Sequence, residues 1–157
     1  MLSFQDLNGN HVELSFEKGV FPIEPMHVLV LAKHQNKWLL TKHPKRGIEF
    51  PGGKVEESET TIQAAIRETS EETNVELTNL EWVAEYLVYE ETPFCKAVYI
   101  ANVDHINVEG PNFETEGAVW LTTDEFLHSN NLSFHMKDTG MKAILEKVMT
   151  LEGKWNG

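Results

Sequence analysis

The chain of 157 residues is acidic: 25 Asp and Glu side chains stand against 13 Lys and Arg, which leaves a formal net charge of −12. Because a large sequence-independent nucleic-acid surface needs clustered positive charge, this balance excludes a long nucleic-acid footprint. Hydrophobic residues make up 41% of the chain, an ordinary share for a globular protein, and the longest apolar run, 28–32, is far too short to span a membrane. The length predicts a single domain over residues 1–157.

The single cysteine and the N-terminal segment bear on the cellular compartment. Cys95 is the only cysteine, so no disulfide can form within the chain. The first residues show no basic segment that leads into an apolar one, as a secretory signal would. We therefore expect a cytoplasmic protein without a membrane partner. Since Cys95 lies in a strand-like run, we expect a buried structural thiol and not a nucleophile.

The chain up to residue 48 predicts a hairpin, a connector and two buried strands. Asn8-Gly9 is a strong turn signal that precedes the alternating residues 12–16. Residues 27–33 are mostly aliphatic, as expected of a central strand that is buried on both faces. The other elements predicted here are a connector at 17–25, a turn at 34–37, a returning strand at 38–42 and a basic loop at 42–48.

A glycine turn and a helix follow this loop. Pro51 fixes its own φ, and Gly52-Gly53 can adopt positive φ or let another group approach the backbone closely. Thr60 with Gln63 fits a capping box, a signature of a helix start. Because no Gly or Pro interrupts the chain from there, the helix is predicted to run to about Thr73.

Two long strands are predicted next, at 80–91 and 94–103, joined by a hairpin. The last predicted elements are a polar loop at 104–117, a short strand at 117–121, a short helix capped by Thr122 or Thr123, and an amphipathic helix at 138–151. Several strands, one central helix and a late helix predict the α/β class, with a mixed sheet sandwiched by helices.

The helix after the glycine turn carries three glutamates that local stability does not explain. At about 100° per residue, the face predicted to pack on the core holds Ile62, Ala65, Ile66 and Thr69. Glu68, Glu71 and Glu72 lie on a neighbouring face. Like charges at these spacings destabilise a helix by about 0.2–0.5 kcal/mol per pair, and its C-terminal end disfavours anions. One explanation is a solvated helix face, and the other is a site for a hard divalent cation, Mg²⁺ or Mn²⁺.

A fixed spacing joins the turn to the helix. Gly53 is followed after five residues by Glu59, and after seven more by Arg67-Glu68, with Glu71-Glu72 completing the pattern. Six fixed positions would match by chance in a chain of this length on the order of 10⁻⁵ of the time. The pattern resembles the box of the Nudix hydrolase family. It departs from that box at Thr69, where a larger apolar residue is usual, and at Asn74, where Gly is usual.

The resemblance implies a fold, a metal and a reaction. The fold is a Nudix-type α/β/α sandwich with a mixed central sheet, a catalytic turn and helix, and a C-terminal helix. Glu68, Glu71 and Glu72 would bind the catalytic Mg²⁺, or Mn²⁺ in its place, with the carbonyl of Gly53 as a further ligand. Glu68 is also a candidate general base, since base and ligand both require an ionised carboxylate.

Other residues receive roles from the same resemblance. Glu59 and Arg67 are expected to form an internal ion pair that ties the turn, with its Gly52 and Gly53, to the helix. Family members often recruit a further acid from a later loop. The candidates for that acid are Glu114 and Glu116. The spacing from Glu114 to Trp120 resembles that of MutT-type members, and this resemblance favours Glu114 as a fourth catalytic carboxylate. Either acid is otherwise an ordinary exposed loop residue.

Basic residues cluster before and just after the glycine turn. The cluster consists of Lys33, Lys37, Lys42, Lys45, Arg46 and Lys54. A basic rim beside carboxylates suits an anionic substrate that arrives with a metal. Lys42, Arg46 and Lys54 are therefore candidate phosphate contacts, although each is individually typical of a solvated surface. Phe134 is a candidate for stacking on a base, and core packing is its alternative.

The run of the chain also resembles the bacterial MutT/YtkD-like branch of the family. This similarity implies a nucleotide substrate, a nucleoside triphosphate such as the oxidised guanine nucleotide 8-oxo-dGTP. It leaves two alternatives open: removal of pyrophosphate from RNA 5′-triphosphate ends, and a catalytically silent nucleotide-binding module. The oligomeric state, the phosphorus attacked and the number of metals do not follow from the sequence.

Overall fold

The computed structural model describes residues 1–107, 117–133 and 136–151. These ranges hold nine strands and three helices: β1 (Leu2–Gln5), β2 (His11–Ser15), β3 (Pro25–His34), β4 (Lys37–His43), β5 (Gly47–Glu49), β6 (Gly52–Lys54), α1 (Thr61–Thr73), β7 (Val75–Tyr89), β8 (Phe94–Ile106), β9 (Ala118–Leu121), α2 (Thr123–Leu127) and α3 (Thr139–Met149).

The strands form one mixed sheet in the order β1-β2-β7-β8-β3-β4-β5, with β6 paired to β3 and β9 paired to β4. The β3–β8 pair is parallel, and the other pairs are antiparallel. Asn8-Gly9 turns the first hairpin, with Gly9 at φ 82°. The predicted α/β class with a mixed sheet is confirmed.

Helices cover both faces of the sheet because its central strand is apolar on both sides. Leu29 and Leu31 of β3 enter a cluster that also holds side chains of α2 and α3. Val28 and Val30 point the other way, into a cluster with Ala64 and Ala65 of α1 among its members. The three layers are those of the predicted α/β/α sandwich.

Helix α1 begins and ends where its local signals predict. The Thr60 hydroxyl accepts from the Gln63 N–H at 3.1 Å, and the Gln63 side chain accepts from the Thr60 N–H at 2.9 Å. Asn74 caps the other end in the left-handed region at φ 60°, and its N–H donates to the Ser70 carbonyl. Asn tolerates this conformation better than most residues, so the departure from Gly is accommodated.

The buried face of α1 differs from the predicted one. Ile62, expected in the core, is 43% exposed, whereas Glu68 and Glu72 are only 8% and 5% exposed. The alanines 64 and 65 are fully buried, and their small side chains let this face of the helix lie close to β3. The helix is therefore rotated so that two of its three glutamates face the protein interior.

Three strand boundaries also differ from the predictions. β7 begins at Val75, directly after α1, and contains Asn79 at φ 53° with several register shifts, which break the alternation that marks a strand in sequence. The basic loop is shortened by β5. The glycine turn forms strand β6, which is defined by its pairing with β3 and not by its own composition.

The remaining expectations concern the membrane and the thiol. No helix in the described ranges is both long and apolar enough to cross a membrane. Cys95 is fully buried, and this burial, together with the nearby Glu85 carboxylate, raises the pKa of its thiol to about 12. The thiolate that a nucleophile requires is therefore disfavoured, in agreement with the structural role predicted for Cys95.

Candidate active site

The backbone of Gly52-Gly53 runs between the central strand and the glutamates of α1. A Cβ atom on Gly52 would lie 2.2 Å from the carbonyl oxygen of Val28, and one on Gly53 would lie 2.4 Å from the carboxyl carbon of Glu68. Any side chain would collide at both positions. The two glycines are thus required by close approach, one to β3 and the other to a carboxylate of the helix.

Glu68 and Glu72, one helical turn apart, border this glycine backbone. The Gly52 N–H donates to Oε1 of Glu72 at 3.3 Å, and both Oε atoms of Glu68 lie 2.6 Å from the place a Gly53 Cβ would take. Glu71 is more open, with its side chain 35% exposed. The three glutamates of the motif are therefore two buried carboxylates, Glu68 and Glu72, and one partly exposed carboxylate, Glu71. They lie beside the backbone of Gly52-Gly53, which has no side chains of its own.

Arg67 ties the segment before the helix to these carboxylates. Its Nε and Nη2 donate to the two oxygens of Glu59 at 2.7 and 2.9 Å, which is the ion pair expected from the sequence. Nη1 donates to Glu68 at 2.9 Å and to Glu71 at 3.3 Å. Nη2 also reaches the carbonyl of Lys54 at 3.0 Å. One guanidinium thus connects β6 (Gly52–Lys54, called the glycine strand below), the loop that precedes α1, and α1 itself.

The Glu59–Arg67 pair predicts a pH-dependent contribution to stability. Hydrogen bonds from Arg67 and from the Glu56 N–H lower the pKa of Glu59 from 4.5 to about 2. Because the folded-state pKa lies below the unfolded one, this contribution is complete above about pH 4.5 and is lost as the pH falls towards 2. The difference in unfolding free energy between the wild type and Glu59→Gln should therefore shrink on acidification, as measured by urea denaturation.

The exposed glutamate Glu81 of β7 supplies the control, as Glu81→Gln. Its difference from the wild type should change less over the same pH range. A difference for Glu59→Gln that stays constant from pH 5 to pH 3 would show that the ion pair does not stabilise the fold.

The donors around Gly52-Gly53 suit a hard divalent cation in their chemistry. Ionised carboxylates and backbone carbonyls are the protein ligands that Mg²⁺ and Mn²⁺ prefer. Within the described ranges, however, no three acidic, histidine or cysteine side chains converge closely enough to form a ready-made cation site. Arg67 holds Glu68 and Glu71, and the Gly52 N–H holds Glu72. Each carboxylate keeps further lone pairs beside these hydrogen bonds, so a cation at this place would need the three side chains to converge without losing their present donors.

A cavity of about 130 Å³ opens on the other side of the glycine strand. Arg46, predicted as a phosphate contact, lines it together with Glu49, and the two form a bidentate pair at 2.7 and 3.2 Å. This pairing raises the pKa of the Arg46 guanidinium above its usual value. Tyr86 and Lys96 complete the polar lining.

Glu49, Tyr86 and Lys96 had no predicted role at the site. Tyr86 and Lys96 lie on β7 and β8, far from the motif in sequence, and only the sheet brings them to Gly52-Gly53. A signal for Glu49 did exist. It is the one acid in the basic segment before the glycine turn. In the structure, its side chain is only 11% exposed.

The remaining predicted site residues do not form one cluster. Lys42 and Lys54 are exposed on β4 and β6. Lys33 does not belong to a basic rim, because it is 5% exposed with its ammonium 5.0 Å from the centre of the Trp38 ring. Residues 114, 116 and 134, where two candidate acids and the candidate stacking Phe were placed, lie outside the described residues.

Comparison with known proteins identifies the family. A model of the NUDIX domain matches residues 19–141. The putative 8-oxo-dGTP diphosphatase YtkD of Bacillus subtilis (strain 168) is 37% identical over an alignment of 151 residues, which covers 94% of this chain and 96% of that protein.

Known structures agree with the sequence match. The crystal structure of the Bacillus subtilis pyrophosphohydrolase BsRppH, a variant with one glutamate replaced by alanine, superposes with a TM-score of 0.89 at 36% identity, covering 100% of both chains. A NUDIX hydrolase from Nitrosomonas europaea shares the fold with a TM-score of 0.69 at 20% identity, over 85% of this chain and 93% of the other. With its motif, its sandwich architecture and these relatives in agreement, the chain belongs to the Nudix family of hydrolases.

Proposed function

We propose that this Nudix enzyme is an Mg²⁺-dependent pyrophosphohydrolase of nucleoside triphosphates, with oxidised guanine nucleotides such as 8-oxo-dGTP among its substrates. The observation that carries the proposal is the pair of buried carboxylates, Glu68 and Glu72, beside the glycine backbone. Nudix hydrolases generally use divalent metal ions and act on nucleotides. The similarity to YtkD, a putative 8-oxo-dGTP diphosphatase, supports the choice of this substrate.

The residues around Gly52-Gly53 have separate roles in the proposed reaction. Glu68, Glu71, Glu72 and the Gly53 carbonyl would hold the divalent cation, which when bound would neutralise charge on the pyrophosphate and lower the pKa of water. In this proposal Glu68 accepts the proton of the attacking water, and Arg67, which donates to its carboxylate at 2.9 Å, orients it. Arg46 and Lys96 present positive charge to the anionic substrate from the cavity across the glycine strand.

The close approach of Gly53 to Glu68 makes Gly53→Ala a sensitive test of this geometry. The added methyl group would lie 2.4–2.6 Å from the carboxylate, so Glu68 must move while the backbone can stay. A displacement on this scale should lower kcat about 100-fold, because misplacing a catalytic group by about 1 Å has this effect. Steady-state kinetics with 8-oxo-dGTP would measure it, with circular dichroism to verify the fold. A kcat that stays within about twofold of the wild type would show that Glu68 has no catalytic role.

A second candidate substrate is the 5′-triphosphate end of RNA. The observation that favours it is the agreement with the pyrophosphohydrolase BsRppH over the whole of both chains. The chemistry required at the metal is the same for a free and an RNA-linked triphosphate. The net charge of −12 restricts an RNA substrate to contacts with a few nucleotides.

A substrate panel separates these candidates. Purified protein is incubated with 8-oxo-dGTP, dGTP, GTP and 5′-triphosphorylated RNA, each with Mg²⁺, with Mn²⁺ and with EDTA, and the products are identified. We expect phosphate or pyrophosphate release that requires the divalent metal, and a higher kcat/KM for the free nucleotides. Preference for RNA in direct competition would support the second candidate. Tight nucleotide binding without turnover under either metal would contradict both candidates and indicate a binding module.

A further inference from the structure

A second, larger concave site lies on the α1 face of the sheet. This groove, here called the β7–β8 groove, has a volume of about 640 Å³. It is lined by residues between 18 and 26, by the loop 55–59, by Thr61 and by side chains of β7 and β8. Its volume falls within the range of about 300–1,000 Å³ that small-molecule sites occupy. It shares none of its lining residues with the cavity beside Gly52-Gly53.

The groove exists because α1 covers only part of this sheet face. The helix begins at Thr61, whose hydroxyl lies 2.6 Å from the hydroxyl of Tyr99. Beyond that end, the floor is formed by sheet residues that include Trp82, Glu85 and Tyr99. The two aromatic rings and the carboxylate thus border the groove beyond the start of the helix, and only small parts of Tyr99 and Glu85 reach its surface, since these residues are 4% and 3% exposed.

An irregularity in β7 places Glu85 in this floor. In a regular strand, residues 82 and 85 would point to opposite faces. The register shifts between Trp82 and Ala84, and both Val83 and Ala84 pack into the cluster on the other face. Trp82 and Glu85 therefore share the groove side, and the indole Nε1 donates to Oε2 of Glu85 at 3.0 Å.

The carboxylate of Glu85 is buried, and no cationic side chain of the described part of the chain pairs with it. Glu85 is 3% exposed, and within the described ranges it has a neutral indole donor and no ion pair with a Lys, Arg or His side chain. A buried carboxylate is costly unless a positive charge compensates it. A cationic group that enters the groove would supply this compensation and would also contact the aromatic faces of Trp82 and Tyr99, a favourable arrangement for ammonium ions.

The walls of the groove add further negative charge. Glu24, Glu56 and Glu57 are exposed along the walls, and Lys18 is the basic residue among the lining side chains. Glu59 also lines the groove, but Arg67 forms an ion pair with it at 2.7 Å and a longer one with Glu56 at 3.5 Å. The carboxylates that Arg67 does not contact, Glu85 in the floor and Glu24 and Glu57 on the walls, favour an elongated ligand with several positive charges over a single ammonium or a compact metal ion.

We propose that the β7–β8 groove binds an aliphatic polyamine, with one ammonium group at Glu85 between the rings of Trp82 and Tyr99. The remaining ammonium groups lie along the wall carboxylates, and the methylene segments contact the apolar rim formed by Phe21, Ile23 and Val55. This site is independent of the nucleotide reaction, since it needs neither the metal nor the glycine strand.

Isothermal titration calorimetry with spermidine at fixed Mg²⁺ and ionic strength tests the proposal. An acidic protein attracts any polycation, so the decisive comparison is between two variants of equal charge, Glu85→Gln and Glu81→Gln, on the same strand. We expect Glu85→Gln to weaken spermidine binding at least about 10-fold, and Glu81→Gln to leave it within about twofold. Butylamine, with one charge, should bind more weakly than spermidine.

A second variant keeps the test decisive if Glu85→Gln does not fold. Glu24→Gln combined with Glu57→Gln changes two exposed wall residues, and it should weaken spermidine but not butylamine binding. Equal affinities of the two single variants, or no loss in the double variant when Glu85→Gln is unfolded, would overturn the proposal. No spermidine binding to the wild type would also overturn it. None of these outcomes depends on the substrate of the enzyme.

Discussion

Replacing Glu68 with Gln should lower kcat about 10²–10⁴-fold, the range associated with loss of a positioned general base. The substitution preserves the shape of a side chain that is 8% exposed and that borders Gly53, so the local packing should survive. It removes the negative charge that both proposed roles of Glu68 require. The measurement is steady-state hydrolysis of the best substrate with Mg²⁺, after circular dichroism has verified the fold.

The control for this variant is Glu81→Gln, the same chemical change at an exposed position of β7. It should retain the kcat of the wild type. A folded Glu68→Gln variant that also retains it would exclude Glu68 as base and as an essential metal ligand. A rise in KM with an unchanged kcat would instead indicate that Glu68 acts in substrate binding.

Replacing Arg67 with Ala should lower the free energy of unfolding by about 3 kcal/mol, the lower end of the cost of breaking a buried ion pair. The side chain of Arg67 is 22% exposed, and its loss leaves Glu59 and the nearly buried Glu68 without their shared cation. The carbonyl of Lys54 also loses its donor. Urea denaturation at pH 7 measures the change, and activity should fall in parallel because Glu68 loses its orientation.

Arg46→Ala supplies a matched comparison for this prediction. Arg46 also forms a bidentate pair with a glutamate, but its side chain is 39% exposed, and Glu49 is the one carboxylate it contacts among the residues that the structure describes. Exposed pairs contribute about 0.2–1 kcal/mol, so its loss should be the smaller one. If the two arginine variants are equally stable, Arg67 does not hold the turn to the helix.

The helix that carries the glutamates could be predicted from sequence because its signals are local. The capping box of Thr60 and Gln63 and the left-handed cap at Asn74 act within a few residues of the chain. The orientation of the helix is not local. We projected α1 at 100° per residue and compared two mean directions, that of its six buried positions and that of the predicted apolar face. The buried direction lies about 60° from the predicted one and is turned towards the glutamates. Contact between the small alanines and β3 outweighs the exposure of Ile62.

The site beyond the motif depends on contacts between distant segments. The sequence motif named Gly53, Glu59 and Arg67, which lie within one short stretch of the chain. Gly53 approaches Glu68, and Arg67 contacts Glu59 and Glu68. Tyr86 and Lys96 reach the cavity only through the pairing of β7 and β8 with the central strand. The buried Glu85 depends on a β-bulge, which breaks the two-residue period that a sequence pattern relies on.

We propose that carboxylates of α1 hold a divalent cation beside Gly53, and Mn²⁺ binding followed by electron paramagnetic resonance measures this property itself. The wild type and a Glu68→Gln, Glu72→Gln double variant are titrated with Mn²⁺, which replaces Mg²⁺ as a spectroscopic probe. We expect the double variant to lose affinity for Mn²⁺ by about 10-fold or more, because each substitution removes a charged oxygen ligand. A folded double variant that binds Mn²⁺ as tightly as the wild type would contradict this proposal.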